Sequence, residues 1–159
     1  MKRFNFFLMS CLLATSMFFV AGCEDKNDPD KPSNSVPDPE GTIQVTVRST
    51  YPGYMGNSVC PNDCYGCFFI TSSNNFSCAL YGNWKFASVG KVNGLGNVTK
   101  IPASGWANQV AIVPGHGYVG ASSYEGRTDY VRIYVIDWII STSGGIIGAE
   151  IKYQSPFIP

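Results

Sequence analysis

The chain contains a single histidine, His116, and only 14 % of its 159 residues are charged. One histidine without a partner nearby in sequence argues against a histidine-based catalytic triad or a histidine-rich metal site. No stretch concentrates lysine and arginine into a basic stripe, which argues against nucleic acid as a partner. No amphipathic helical pattern follows residue 40, so a helical bundle is also disfavoured.

The overall net charge is zero, but two parts of the chain carry net charges of opposite sign. Residues 24–40 carry six acids and two lysines, a net charge of −4, whereas residues 41–159 carry seven bases and five acids, a net charge of +2. The acidic segment has one aliphatic residue, Val36, and cannot bury enough apolar area to offset its ordering entropy. Residues 23–40 are therefore predicted to form a disordered, proline-stiffened tether.

The first residues have the pattern of an export signal. Lys2 and Arg3 are followed by a mostly apolar run that is short for a membrane span, and two small residues precede Cys23. The sequence Val-Ala-Gly-Cys ending at Cys23 resembles the lipobox of bacterial lipoproteins. This resemblance implies that residues 1–22 are removed and that Cys23 is lipidated, which anchors the protein in a membrane. An ordinary cleaved signal beside a free cysteine is the alternative.

The acidic run after Cys23 indicates where in the cell envelope the protein is placed. Such a run resembles the export signal that places lipoproteins on the outer face of the outer membrane in some gut-dwelling Gram-negative anaerobes. The resemblance implies an outer-membrane lipoprotein exposed at the cell surface. A plain solvated spacer is the alternative, and it leaves the face of the membrane open.

Residues 41–159 are predicted to form one β-rich domain, because apolar residues alternate and turn residues recur. Residues 51–67 are expected to form a loop and residues 72–75 a turn. Residues 117–121 are expected to pair with residues 109–113. About seven short strands are predicted, at residues 42–49, 68–71, 84–92, 98–101, 109–113, 129–140 and 147–154, with residues 117–121 as the candidate return partner of residues 109–113. The fold class is therefore all-β, a small antiparallel β-sandwich or a partly open β-barrel.

The last two predicted strands flank a glycine-containing turn and are expected to form a hairpin. Odd positions of the first strand are largely aliphatic and even positions largely aromatic, so this strand is either central and covered on both sides or carries a binding surface. Asp137 falls in the aliphatic row. We expect it at a β-bulge or hydrogen-bonded, because a bare buried carboxylate is costly.

Four stretches of the domain resemble an uncharacterised domain of lipoproteins from gut anaerobes. They are Val89-Gly90-Lys91-Val92-Asn93-Gly94-Leu95-Gly96, Pro114-Gly115-His116-Gly117-Tyr118-Val119, Tyr130-Val131-Arg132-Ile133-Tyr134-Val135 and Lys152-Tyr153-Gln154-Ser155-Pro156-Phe157. The resemblance covers most of residues 41–157. It implies an exported β-rich module with no assigned activity, and so it identifies no catalytic residue.

Four cysteines remain in the exported domain: Cys60, Cys64, Cys67 and Cys78. Two disulfides are expected in an oxidising compartment. Both the local pairing, Cys60–Cys64 with Cys67–Cys78, and the crossed pairing, Cys60–Cys67 with Cys64–Cys78, are feasible. A four-thiolate zinc site is an alternative, although paired Cys-x-x-Cys knuckles are missing. Cys64 and Cys67 also match a redox Cys-x-x-Cys, but no helix is expected there to activate the thiol.

Two further patterns are weak indicators of catalysis. Residues 115–120 match G-x-G-x-x-G, but the sequence that follows is not helical, so a turn is expected there and no dinucleotide cofactor. The five acids of the domain form no close pair on one strand face, and no glycosidase dyad is identified. We therefore expect a protein that is not an enzyme and that needs no metal or cofactor.

Tyrosine and tryptophan are abundant, and their amphipathic rings suit recognition surfaces. The alternative is that these rings fill a small β core. The ligand-binding candidates are the loop residues Tyr51, Tyr54, Tyr65 and Trp106 and the strand residues Tyr130, Arg132, Tyr134 and Trp138.

The first functional hypothesis is a non-catalytic, lipid-anchored module that binds a glycan or an envelope protein, and a concave aromatic patch would favour it. The second is a structural or accessory subunit of a surface or fimbria-like assembly, which an open, uncharged edge strand would favour. An enzyme would need acids or thiols that converge in one pocket.

Overall fold

The computed structural model describes residues 36–49, 57–79 and 82–159. Predictions that concern residues 1–35, among them the lipidation of Cys23, and the candidates Tyr51 and Tyr54 lie outside the described residues. A three-residue 3-10 helix forms at Leu95–Asn97. The described residues also form eight strands, numbered in chain order: β1 (Ile43–Arg48), β2 (Phe68–Ile70), β3 (Asn75–Cys78), β4 (Asn83–Lys91), β5 (Gln109–Ala111), β6 (His116–Tyr124), β7 (Arg127–Ile140) and β8 (Ile146–Gln154).

The strands form two antiparallel sheets, and the prediction of an all-β sandwich is confirmed. The large sheet has the order β1-β8-β7-β6-β4, and the small sheet has the order β2-β3-β5. The sheets do not close into a barrel. The predicted terminal hairpin is present as β7 and β8, and β7 lies between β8 and β6 in the large sheet. In the part of the chain described, no helix is long and apolar enough to cross a membrane.

A β-bulge in β7 resolves the unusual position of Asp137. The register with β8 shifts between Val135 and Asp137, so the alternation of side chains reverses there. Asp137 is exposed, and its Oδ1 accepts a hydrogen bond of 2.7 Å from the backbone N–H of Trp138. Trp138 turns inward and packs against the core. The expectation of a bulge or a hydrogen bond at Asp137 is confirmed in both respects.

Aromatic rings from both sheets form the core between them. Phe68 of β2 is fully buried and packs against Phe76 of β3, with ring centroids 5.8 Å apart, and against Trp84 of β4, at 5.3 Å. Each ring of this size removes about 150–250 Å² from water. Tyr118 of β6 also joins the sheets, because its hydroxyl donates to the carbonyl of Ala111 and accepts from the N–H of Val113.

The opposite face of the large sheet, termed the outer face, is partly covered by loops. Val119 of β6 is buried there with Val98 and Phe157, which lie outside the strands. Arg132 of β7 stacks its guanidinium over the Phe157 ring, 5.0 Å from the centroid. β7 is thus covered on both faces over part of its length, which explains why neither of its faces has a polar pattern.

Two local expectations are wrong, and one strand was not predicted. The turn expected at residues 72–75 is present at residues 72–74, but β3, which begins at Asn75 and pairs with both β2 and β5, was missed. This strand is short and polar at alternate positions, and pairing on both sides stabilises it. Residues 98–101 form no strand, because Val98 follows the 3-10 helix and packs on the outer face.

The expected pairing of residues 109–113 with residues 117–121 is also wrong. β5 pairs with β3 in the small sheet, whereas β6 pairs with β4 and β7 in the large sheet. The turn at Gly115, which has a φ of 75°, carries the chain from one sheet to the other. β6 begins directly after this turn, and so residues 115–120 lead into a strand and not into a helix.

The domain makes contacts five residues before the predicted boundary at residue 41. Lys152 of β8 forms an ion pair with Asp38, with Nζ and Oδ2 2.6 Å apart. The N–H and hydroxyl of Thr42 both donate to the carbonyl of Pro39. Gly96 packs directly on the backbone carbonyls of residues 36 and 37. The last part of the predicted tether, residues 36–40, therefore lies on the domain because specific polar and backbone contacts compensate for its lack of apolar residues.

Substitution of Gly96 by alanine should destabilise the full-length chain by about 1–3 kcal/mol, the usual cost of forcing atoms into a packed site. An added Cβ would overlap the carbonyl oxygens of Val36 and Pro37. Urea unfolding would measure the free energy, and amide hydrogen exchange would report whether residues 36–40 loosen. Gly94→Ala is the matched control, because its nearest neighbour, Asp38 Oδ1, lies 4.0 Å from the added Cβ. Equal stability of the two variants would contradict the packing described for this segment.

Candidate functional site

A disulfide between Cys60 and Cys67 closes the loop that precedes β2. The local pairing is wrong, and the crossed pairing is only half correct, because Cys64 and Cys78 are free thiols. The two thiols have different surroundings: Cys78 donates to backbone carbonyls, whereas Cys64 lies 3.5 Å from the Ser155 hydroxyl. Among residues 36–49, 57–79 and 82–159, no three histidine, cysteine or acidic side chains are grouped as a metal site.

The carbonyl oxygen of Tyr65 fixes this loop to the large sheet. It accepts hydrogen bonds from Trp84 Nε1 of β4 at 3.1 Å and from Ser122 Oγ of β6 at 2.6 Å. Arg127 of β7 adds a third connection, because its Nη2 donates to the carbonyl of Asp63 at 3.3 Å. The backbone at Tyr65 is therefore held in place by groups from three strands.

The ring of Tyr65 points outward and stacks on Tyr124 at the end of β6. The ring centroids are 3.8 Å apart and the planes differ by 18°. Tyr65 is 43 % exposed and Tyr124 is 45 % exposed. We term these two residues the tyrosine platform. It presents apolar ring surface to solvent from a rigid support.

A cleft of about 370 Å³, termed the platform cleft, adjoins the tyrosine platform. It is lined by the charged side chains of Asp63, Arg127 and Asp129 and by the amide of Asn62. Arg127 Nε donates to Asp129 Oδ1 at 2.7 Å, and this bond raises the pKa of the guanidinium further above its usual range. A hydrogen bond to Glu125 raises the pKa of the Tyr124 phenol. At neutral pH the cleft therefore holds a paired cation and a neutral phenol.

Cys64 lines the same cleft, which thus brings a thiol and two carboxylates together. Burial raises the pKa of the Cys64 thiol, and the hydrogen bond to Ser155 only partly opposes this effect. A nucleophilic cysteine needs the opposite shift, because the thiolate is the reactive form. One of the carboxylates, Asp129, is already paired with Arg127. The surroundings of Cys64 therefore favour the protonated thiol over the thiolate.

A second cleft, of about 280 Å³, lies on the outer face and is termed the Trp106 cleft. The rings of Trp106 and Tyr130 form its walls, with centroids 6.2 Å apart and planes inclined by 52°. The indole N–H of Trp106 donates to the carbonyl of Pro102 at 3.0 Å, which fixes the ring. The remaining lining residues are Asn83, Lys85, Ala121 and Ser123.

The structure separates the predicted ligand-binding candidates. Tyr65 belongs to the tyrosine platform, and Trp106 and Tyr130 meet in the Trp106 cleft. Arg132 is engaged internally by Gln154, the carbonyl of Val98 and the Phe157 ring, and burial lowers its pKa. Tyr134 is half-buried in the middle of the large sheet, opposite Lys152, and Trp138 packs against the core.

Sequence reasoning missed five residues of the platform cleft, and three of them, Tyr124, Arg127 and Asp129, belong to the β6–β7 hairpin. They flank a two-residue hairpin turn, in which Glu125 has a φ of 48° and Gly126 a φ of 81°. A polar residue followed by glycine between two alternating segments is the usual signal for such a turn. That signal could have identified the turn, although not the contact of Tyr124 with Tyr65.

The protein is an antiparallel β-sandwich with one cleft on each side of the β6–β7 hairpin. Residues 65–157 match DUF5036, a domain of unknown function, and this match spans more than half of the 159-residue chain. The chain belongs to the DUF5036 family. The prediction of an uncharacterised domain is thus confirmed, with the match beginning at Tyr65. No curated protein and no solved structure matches the chain.

Alkylation of the full-length native chain should distinguish the cysteines. Cys64 and Cys78 should be modified without reduction, and Cys60 and Cys67 only after it. Because burial raises its pKa, Cys64 should react more slowly at pH 8 than in the unfolded chain and gain rate only above the ordinary thiol range. Peptide mass mapping after timed iodoacetamide exposure measures this. Rapid reaction of Cys64 at pH 7 would contradict a protonated thiol.

Proposed function

We propose that this protein is a lipid-anchored outer-membrane protein whose non-catalytic domain binds a glycan at the tyrosine platform. The observation that carries the proposal is the exposed, stacked Tyr65–Tyr124 pair on a support fixed by the disulfide and by hydrogen bonds to two strands. Exposed apolar rings held this firmly are more typical of a binding surface than of a core.

The rigidity of the platform favours binding. A site that is already ordered loses little conformational entropy when a ligand is bound. Tyrosine rings supply large contact area at low entropic cost, and their amphipathic character suits the faces of sugar rings. These features support a ligand that stacks on the rings.

The polar groups of the platform cleft disfavour an acidic ligand, because the carboxylates of Asp63 and Asp129 outnumber the one guanidinium, that of Arg127. Arg127 is paired with Asp129, so it adds no isolated positive charge. Asn62, Asp63 and Arg127 together offer donors and acceptors, as sugar hydroxyls require. A neutral glycan is therefore the ligand class that we propose for the platform.

The proposed anchor is supported by the sequence pattern that ends at Cys23. Because residues 36–40 lie on the domain, residues 23–35 are the part of the tether between the anchor and the first described contacts. Thirteen residues span at most about 45 Å when fully extended. We propose a domain held close to the outer membrane, at the outer face.

An edge strand supports a second candidate function, that of an assembly subunit. Among the residues that the structure describes, β1 pairs with β8 alone, and its one charged residue is Arg48 at its end. Ile43 at its beginning is 45 % exposed. An open strand with few charges can accept a strand from another protein.

Binding to an array of neutral glycans should depend on the platform. The full-length chain in mild detergent should give saturable binding, and Tyr124→Ala or Tyr65→Ala should weaken it at least tenfold by removing a stacking surface. Tyr65→Ala leaves the buried hydrogen bonds intact, since they use the backbone carbonyl. Tyr65→Phe should retain most binding, and Ile140→Ala, which changes an exposed residue elsewhere, is the control. No binding by a folded wild-type chain would refute the glycan proposal and favour the assembly function.

Membrane attachment should depend on Cys23. Cys23→Ser should abolish incorporation of an alkyne fatty acid and release the protein from the membrane fraction, because no acyl chain would remain. Cys11→Ser, a change within the segment expected to be removed, should leave both readouts unchanged. Labelled, membrane-bound Cys23→Ser protein would contradict the proposed anchor.

A further inference from the structure

The Trp106 cleft is built by the pairing of strands and not by flexible loops alone. Lys85, Ala121 and Tyr130 lie side by side on β4, β6 and β7. Asn83 and Ser123 form the next row in the same direction, two residues along β4 and β6. The floor and rim of the cleft therefore have positions set by the register of the large sheet.

Trp106 is held over this row by backbone contacts. Ala107 exchanges two hydrogen bonds with Phe86, of 2.8 and 3.0 Å, and this bridge attaches the chain to β4 beside Lys85. The indole bond to Pro102 then sets the ring orientation. The cleft thus has two fixed aromatic walls before any ligand arrives.

Lys85 is the single charged residue that lines the Trp106 cleft. The ion pairs within the described segments are Arg127–Asp129 and Lys152–Asp38, and Lys85 belongs to neither. An unpaired ammonium between aromatic walls attracts an anion, and it donates charge-assisted hydrogen bonds. This arrangement differs from the platform cleft, where the cation is already paired with a carboxylate.

We propose that the Trp106 cleft is a second binding site, which takes a sugar ring that carries a carboxylate. Trp106 and Tyr130 would contact the ring, Asn83 and Ser123 would bind hydroxyls, and Lys85 would bind the carboxylate. The volume of about 280 Å³ lies at the low end of ligand sites, so it fits a single unit of a chain better than a large molecule. Because Asn83 and Lys85 are exposed, the rim leaves room for the chain to continue.

Trigalacturonate and its methyl ester are matched probes, since they share the sugar rings and differ in charge. By calorimetry at low salt, the full-length chain should bind the acid about tenfold more tightly than the ester, as expected for one exposed charge-assisted hydrogen bond. Lys85→Met should remove this difference and Lys85→Arg should retain it. Added salt should reduce the difference, because exposed charges are screened.

Lys91→Met is the control variant, because it removes an exposed lysine from the same strand without touching the cleft. Equal losses in Lys85→Met and Lys91→Met would overturn the proposal in favour of diffuse attraction. Equal binding of acid and ester, or no binding of the acid, would also overturn it. Tyr124→Ala should not change uronate binding, so failure of this site and failure of the tyrosine platform are separate results.

Discussion

The hydrogen bonds to the carbonyl oxygen of Tyr65 are the interaction on which the position of the tyrosine platform depends. This oxygen accepts hydrogen bonds from Trp84 and Ser122, which lie on two different strands. Gly82 packs against the same oxygen, where an added Cβ would lie 2.9 Å away, and its φ of 117° also favours glycine. The disulfide shortens the loop, and these contacts decide where its outward tyrosine lies.

The hairpin of β6 and β7 gives the domain two surfaces of different chemistry. Neighbouring residues in a strand point to opposite faces, so Ser123 lines the Trp106 cleft while Tyr124 belongs to the tyrosine platform. On β7, Tyr130 and Asp129 are divided in the same way. The hairpin thus contributes to both clefts, of which one contains the lone cation Lys85 of β4 and the other the paired cation Arg127 of β7. Under the two proposals, this difference would let the sites select different ligands.

The sequence was sufficient for features that depend on local pattern. Alternation predicted β7 and β8, and the charge of Asp137 in an aliphatic row predicted a bulge or a hydrogen bond there, both of which are present. The pairing of β5 could not be predicted in this way, because a proline-glycine turn is compatible both with a hairpin and with a change of sheet. β3 was missed because its stability comes from two neighbouring strands and not from its own residues.

The sequence predicts the candidate sites less well than the strands, because the sites form where segments that are distant in sequence come into contact. Tyr65 and Trp106 were identified by type and by their position in loops. Their partners, Tyr124 and Lys85, could not be assigned without the register of the large sheet. The cysteines show the same limit, because spacing allows several pairings and the fold brings Cys60 to Cys67 while it places Cys64 beside Ser155.

The register also relates the proposed anchor to the proposed site. The docked segment meets the large sheet at Lys152, which lies opposite Tyr134 on β7. From Tyr134 the strand continues to Arg127 at the platform, a run of seven residues or about 23 Å at the usual rise of a β-strand. Under the proposed anchoring, the ion pair between Asp38 and Lys152 fixes the point at which the tether joins the domain. The distance from this point to the tyrosine platform is then set by the length of β7. Without the contact at Asp38, the tether could leave the domain elsewhere and this distance would vary.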